Sequence, residues 1–301
     1  MRIDISNDIF SLPSIKDKST YFPDYVDDYL KKYRKFLGNI NICKEIINDI
    51  EKFSKYIYMC LIDYYNGQHS NAKELLNLAI NSICIESLYE PLDERIFYRV
   101  RKSTLKSSDM FHIPYEKRHL VSTQRYSYPG YPCLYMGSSV DVCCDELRSR
   151  NENLKVACIK RNTIIAARIL NLYFFQKYDF NNLTNESKIK FLKFWPLVAC
   201  CSFNYSKTNK MNFRPDYIIP QLLLEYLMDQ NSEVDILGEG IKVYGIRYHS
   251  VLGSLFDENK SPTYVNYVFP TIISNRTGHC DFLSNLFIIE SVSSLKDLQK
   301  K

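Results

Sequence analysis

Three side chains of complementary chemistry lie within one stretch of the sequence, from Met110 to Arg148. They are Arg125, Tyr135 and Glu146. A guanidinium can chelate a pyrophosphate through two parallel hydrogen bonds, and a tyrosine ring can stack on an aromatic base or on ribose. A carboxylate can stabilise positive charge that develops during a reaction. The three residue types together indicate a candidate ligand site.

The elements that must position these side chains are a turn, a strand and a helix. Tyr128-Pro129-Gly130 is typical of a turn, and Cys133-Leu134-Tyr135-Met136 has the length and flanks of a strand. Gly137-Ser138-Ser139 then predicts a second turn, and the spacing of Ser138 and Asp141 predicts a capping box. The helix that follows brings its carboxylate back towards the strand.

Helical geometry places Glu146 at a border of this helix. At about 100° per residue, Glu146 falls outside the polar side formed by Asp141, Asp145 and Arg148. A carboxylate at such a border is typical of an exposed surface group, and it is also where a carboxylate in a cleft would lie. The geometry alone leaves both interpretations open.

Three further residues have a surface interpretation and a functional one. Arg99 interrupts the apolar strand predicted at Ile96–Val100, which is typical of an edge strand but would also hold a guanidinium rigidly. Arg118 lies in a basic segment that is typical of a solvated surface. Ser250 follows a strand predicted at residues 242–249, and no His/Asp arrangement supports it as an acyl nucleophile.

A family resemblance rests on these residues. Arg125, Tyr135 and Glu146, joined through the strand and turn, resemble the core of the RES domain, a family named after its Arg, Glu and Ser. The resemblance extends to Phe97-Tyr98-Arg99-Val100 and to Gly245-Ile246-Arg247-Tyr248-His249-Ser250, and it covers roughly the last two-thirds of the chain. The family's Gly-Arg-Trp/Phe-Asn motif is here Gln124-Arg125-Tyr126-Ser127.

The resemblance implies a toxin that consumes NAD⁺ on a fold like that of ADP-ribosyltransferases. It implies catalytic roles for Glu146, Arg125 and Tyr135, and NAD⁺-binding roles for Arg99 and Ser250. We also assign Arg118 to NAD⁺ binding. NAD⁺ is then a substrate and no cofactor is expected, while phosphate, water or a protein side chain remains open as the acceptor.

Two other functions remain open, as does the identity of the partner. One is mono-ADP-ribosylation of a protein target, and the other is a non-catalytic interaction protein that binds a nucleotide, which the altered motif around Arg125 favours. Because a free NAD⁺-consuming enzyme would poison its own cell, we expect restraint by an antitoxin, a sensor protein or the N-terminal helices. The oligomeric state is left open.

Composition excludes several other classes. Nine glycines form no Walker loop and no Gly-x-Gly-x-x-Gly, and the ten cysteines and five histidines show no metal-ligand spacing. A net charge of +5, scattered among 34 acidic residues, does not indicate nucleic-acid binding. No run of 18 apolar residues predicts a membrane span. We therefore expect a cytoplasmic protein with reduced cysteines and no metal.

Periodicity predicts an α+β protein with two domains. Residues 1–92 contain three helices, near residues 24–37, 42–65 and 72–85, and form a helical scaffold or docking domain. A helical ribonuclease is excluded because no Arg-x4–6-His occurs. Residues 93–301 are expected to form the RES-like catalytic domain, with ADP-ribosyltransferase-like mixed sheets and flanking helices; one strand is predicted at Ile164–Leu172.

Overall fold

The chain was analysed as a computed structural model. The structure describes residues 8–15, 20–40, 42–102, 107–151, 153–173, 183–205, 211–237, 242–251, 264–272 and 275–298. For residues 107–108 and 232–237 it describes the backbone alone.

Helices and strands alternate irregularly along the chain. The helices are α1 (Phe22–Gly38), α2 (Lys44–Tyr65), α3 (His69–Ile83), α4 (Val140–Glu146), α5 (Asn185–Ser202), α6 (Ile218–Leu237), α7 (Asp281–Leu286) and α8 (Leu295–Leu298). The strands are β1 (Ser14–Ile15), β2 (Tyr89–Pro91), β3 (Ile96–Arg101), β4 (Cys133–Gly137), β5 (Lys155–Arg161), β6 (Arg168–Asn171), β7 (Asn204–Tyr205), β8 (Val243–His249), β9 (Val265–Pro270) and β10 (Phe287–Ser294). This mixture confirms the predicted α+β class.

The chain forms two compact units that are discontinuous in sequence. One comprises Met1–Leu88, Phe174–Tyr226 and Ser254–Glu258, and the other comprises Tyr89–Tyr173, Leu227–Gly253 and Asn259–Lys301. The predicted division into residues 1–92 and 93–301 therefore differs from these units, because the segment that contains α5 belongs with the N-terminal helices.

The helical unit is built on apolar stripes. In α1, the buried residues Val26, Leu30, Tyr33 and Leu37 recur at helical spacing, and α2 and α3 bury similar stripes. These elements confirm the three predicted N-terminal helices. From α5, Trp195 is 1% exposed, and its indole Nε1 lies 2.8 Å from the Tyr29 hydroxyl.

The second unit is organised around one mixed sheet with the strand order β10-β5-β3-β4-β9-β8-β6-β2. Neighbouring strands are antiparallel except β6 and β8, which are parallel. In the centre, β3 and β4 pair only at Tyr98 and Gly137. This single pair joins β10-β5-β3 on one side to β4-β9-β8-β6-β2 on the other.

Two local predictions were wrong. The predicted strand at Ile164–Leu172 is shorter, because the Asn162 side chain accepts a hydrogen bond from the Ile164 amide and closes a turn in which Ile164 is 92% exposed. The N-cap of α4 is Ser139, whose hydroxyl accepts from the Val142 amide, whereas Ser138 accepts from the Val265 amide at the start of β9.

Two further observations concern the state of the cysteines and the hydropathy of the helices. Each of the ten cysteines, all of which lie within the described ranges, is a free thiol. Across those same ranges, the structure contains no helix with both the length and the apolar character of a membrane span.

Candidate active site

The C-terminal end of α4 presents a carboxylate that is held through one oxygen. Oε1 of Glu146 accepts hydrogen bonds from the Ser250 hydroxyl at 2.7 Å and from the Asn266 side-chain amide at 2.6 Å. No described residue donates a hydrogen bond to Oε2, and the Glu146 side chain is exposed. One oxygen is therefore fixed by the protein, and the other remains available to a ligand.

The close approach of α4 to the sheet depends on Gly137, the last residue of β4. A Cβ atom at this position would lie 2.5 Å from Val142 Cγ1 and 2.7 Å from Cys143 Sγ. Gly137 also pairs with Asn266 on β9. A glycine at this point therefore lets the helix pack directly against the strands that supply one of the partners of Glu146.

Tyr135 connects β4 to the loop that carries Arg125. Its hydroxyl accepts from the Tyr126 amide at 3.2 Å and donates to the Ser127 hydroxyl at 3.2 Å. The Tyr126 ring in turn lies 4.7 Å from the ring of Tyr248 on β8. Burial raises the pKa of Tyr135 well above its ordinary value, so the hydroxyl stays protonated at neutral pH.

Arg125 lies in this tethered loop and is 8% exposed. Its neighbours Gln124 and Ser127 close a tight turn, in which each backbone amide donates to the other residue's carbonyl. The guanidinium is thus carried by a segment that both strand and turn contacts hold in place.

Arg99 is a buried cation next to the single residue pair that joins β3 and β4. Its Nη1 donates to the backbone carbonyl of Tyr135, and the side chain is 8% exposed. Its Nε has no hydrogen-bond partner among the described residues, and none of their carboxylates forms an ion pair with it. Burial lowers the pKa of Arg99, and the nearby Arg101 lowers it further.

The structure places five of the six residues that the sequence predicts for the site in two groups. In the first group, Glu146 contacts Ser250. In the second, Arg99 contacts Tyr135, and Tyr135 contacts the residue next to Arg125. Arg118 is the exception. Its Nε donates to the Gly130 carbonyl at 2.9 Å, its side chain is exposed, and no contact joins it to the other five.

Sequence reasoning missed Asn266 and misjudged Asp145. Asn266 is a polar residue within the apolar strand β9, and this feature of the sequence could have identified it as a candidate site residue. Asp145 was expected on the solvated side of α4, but it accepts a hydrogen bond from the Tyr264 hydroxyl and lies 2.7 Å from Arg150 Nη2. Asp145 and Glu146 are thus held by two residues, Tyr264 and Asn266, that are separated by one position.

Comparison with known proteins gives one curated relative of this chain. No family model matches the chain, and no solved structure matches it. A curated protein of Bacillus subtilis (strain 168), named "Putative toxin YopC", is 29% identical over 295 residues, which cover 91% of this chain. The match covers 65% of that relative's own length. The chain is thus similar to a larger protein whose name describes a toxin.

Proposed function

We propose that this protein is a toxin that cleaves the nicotinamide–ribose bond of NAD⁺. The observation that carries the proposal is the asymmetric environment of Glu146, in which Ser250 and Asn266 hold one oxygen and leave the other open. A carboxylate held in this way can face a ribose ring without first reorganising. The resemblance to the RES domain and the toxin name of the curated relative support the same function.

The proposed reaction explains the residue types at the site. When the glycosidic bond breaks, its electron pair goes to the pyridinium nitrogen, so nicotinamide leaves as a neutral molecule and needs no general acid. The ribose becomes positively charged in an oxocarbenium-like transition state. The negative charge of Glu146 stabilises that state electrostatically, while Ser250 and Asn266 keep the carboxylate in place.

The remaining residues bind and orient the substrate. Arg99 and Arg125 are cations held with little exposure, which suits fixed hydrogen bonds to phosphate oxygens. Tyr135 orients the substrate indirectly, because the hydrogen bonds of its hydroxyl to Tyr126 and Ser127 keep the Arg125 loop against the sheet. Arg118 is a weaker candidate for substrate binding, because its guanidinium already donates a hydrogen bond to the turn at Gly130.

The experiment that tests the proposal is an analysis of the products formed from NAD⁺ with and without phosphate. ADP-ribose 1″-phosphate would indicate phosphorolysis, and free ADP-ribose would indicate hydrolysis; nicotinamide is released in both. Label from NAD⁺ that is retained on a protein would indicate ADP-ribosyl transfer. NAD⁺ that the purified full chain leaves intact under all three conditions would refute the proposal.

Restraint of such an activity is part of the proposal. A cell that makes an NAD⁺-consuming enzyme needs an antitoxin, a sensor protein or an inhibitory contact. Co-expression of neighbouring open reading frames with the full chain tests the first option, and rescue of both growth and cellular NAD⁺ would identify the partner. Rescue of growth without recovery of NAD⁺ would contradict NAD⁺ depletion as the cause of toxicity.

A further inference from the structure

A second arginine lies beside Arg99 on the same face of β3. Residues two apart on a strand point to the same side, so Arg99 and Arg101 are neighbours there. Across the ladder, Arg99 faces Ala157 and Arg101 faces Lys155 on β5. Arg101 is half-buried, and Lys155, directly opposite it, adds a third positive charge to this face.

The positive charge of this pair is poorly compensated. The guanidinium of Arg99 donates to one carbonyl, and its Nε has no described partner. No described side chain forms an ion pair or hydrogen bond with Arg101, on which Asp109 acts only through space. Burial lowers the pKa of both arginines, since leaving water disfavours their charged forms.

Among the described neighbours, the Asp109 carboxylate acts on Arg101 without a hydrogen bond, and His112 supplies no negative charge. His112 is fully buried. Its Nε2 accepts from the Cys280 amide at 2.8 Å, so its Nδ1 carries the proton and donates to the Ile113 carbonyl at 2.8 Å. Burial, His279 and both arginines lower its pKa to about 4, so it is neutral at physiological pH. Within the described part of the chain, neither arginine forms an ion pair, and the histidine beside them is neutral.

Charges buried without partners are costly, and proteins retain them mainly where a ligand supplies the counter-charge. We infer that Arg99 and Arg101 together form a diphosphate site, in which each guanidinium binds one phosphate group. A pyrophosphate linkage carries two negative charges, so it matches the two fixed positive charges better than a single carboxylate would. The inference rests on the proposed function, in which this linkage belongs to NAD⁺, and it adds Arg101 to the phosphate-binding residues Arg99 and Arg125.

Calorimetric titration of the full chain with inorganic pyrophosphate, ADP-ribose and orthophosphate tests the site. We expect pyrophosphate and ADP-ribose to bind more tightly than orthophosphate. Arg101→Met should weaken both by about tenfold to a hundredfold, as expected for one lost charged hydrogen-bonding group. Lys102→Gln is the matched control, because it removes one positive charge from an exposed position next to β3 and should leave both affinities unchanged.

Thermal unfolding separates a binding role from a structural one. Because Arg101 has no described partner, Arg101→Met should leave the unliganded melting temperature unchanged or raise it, while it abolishes most of the shift produced by pyrophosphate. A lower melting temperature with an unchanged pyrophosphate affinity would overturn the inference, as would wild-type binding of orthophosphate as tight as pyrophosphate. These titrations do not depend on NAD⁺ turnover, so the diphosphate site and the proposed reaction can fail separately.

Discussion

At the scale of single residues, the carboxylate of Glu146 depends on two neutral donors from distant parts of the sequence. Ser250 is 2% exposed and Asn266 is 6% exposed, so both donors are shielded from water. Both donate to a charged acceptor, and such hydrogen bonds are stronger than those between two neutral groups. The orientation of the carboxylate should therefore be sensitive to either donor.

Ser250→Ala removes one of these hydrogen bonds and leaves the other. We expect turnover of NAD⁺ to fall by about tenfold with little change in KM, because the bond orients the carboxylate more than it binds the ground state. Ser293→Ala, at a half-exposed position of β10, is the control and should retain full turnover. A Ser250→Ala enzyme that raises KM and keeps kcat would instead assign Ser250 to substrate binding.

His112 gives the protein a pH dependence that can be measured independently of activity. Its ordinary pKa is 6.5, and burial lowers the pKa in the folded protein to about 4. Between these values the unfolded chain binds a proton that the folded protein rejects, so the free energy of unfolding falls as pH falls from 6.5 towards 4. The loss from this group is at most about 3 kcal/mol.

Urea unfolding at pH 7.5 and pH 4.5 checks this prediction. His112→Gln should show a smaller loss of stability between the two pH values than the wild type does. The exposed His119→Gln variant should retain the wild-type difference. Equal differences in the wild type and both variants would show that His112 does not carry the effect.

At the scale of elements, contacts of Asp145 hold the last turn of α4, which carries Glu146. Asp145 accepts from Tyr264 and pairs with Arg150, which also lies 2.7 Å from Asp141. The side chain of Asp145 is 22% exposed and that of Asp141 is 65% exposed. The same arginine thus bridges a shielded carboxylate and an exposed one.

Asp145→Asn and Asp141→Asn therefore form a matched pair on one helix. Asp145→Asn should lower the free energy of unfolding by about 1–2 kcal/mol and reduce turnover, because it loosens the residue next to Glu146. Asp141→Asn breaks only a surface ion pair and should cost less than about 1 kcal/mol. Activity and stability are measured on both variants; equal effects would remove Asp145 from the positioning of α4.

Local patterns predicted most elements and fewer of the contacts between them. The stripes of α1–α3 and the strand around Tyr135 are visible as periodicity, because burial repeats with the backbone. The N-cap of α4 was misassigned because Ser138 bonds instead to Val265, which lies far away in sequence. Asn266 and Asp145 were missed for the same reason, since their partners are determined by tertiary structure.

At the scale of the whole molecule, the two compact units do not correspond to the two halves of the sequence. Residues 93–301 include α5, whose Phe191 and Trp195 pack against Phe10 within the helical unit. A chain that begins at residue 93 would also lack β2, the edge strand that pairs with β6. The predicted division into residues 1–92 and 93–301 therefore differs from the two compact units.

We predict that residues 93–301 expressed alone will aggregate or remain loosely packed, because α5 would expose large aromatic side chains. Size-exclusion chromatography and near-UV circular dichroism would show this, with the full chain as the control. A monomeric fragment that retains native near-UV signal and cleaves NAD⁺ would contradict the assignment of α5 to the helical unit.

The central claim is that the charge of Glu146 drives cleavage of NAD⁺, and Glu146→Gln tests it most directly. Glutamine keeps the shape and an acceptor oxygen for Ser250 and Asn266 but removes the negative charge. With the purified full chain, the variant should bind NAD⁺ with near-normal affinity and release nicotinamide about two to three orders of magnitude more slowly than the wild type. Nicotinamide release at the wild-type rate by Glu146→Gln would contradict the claim.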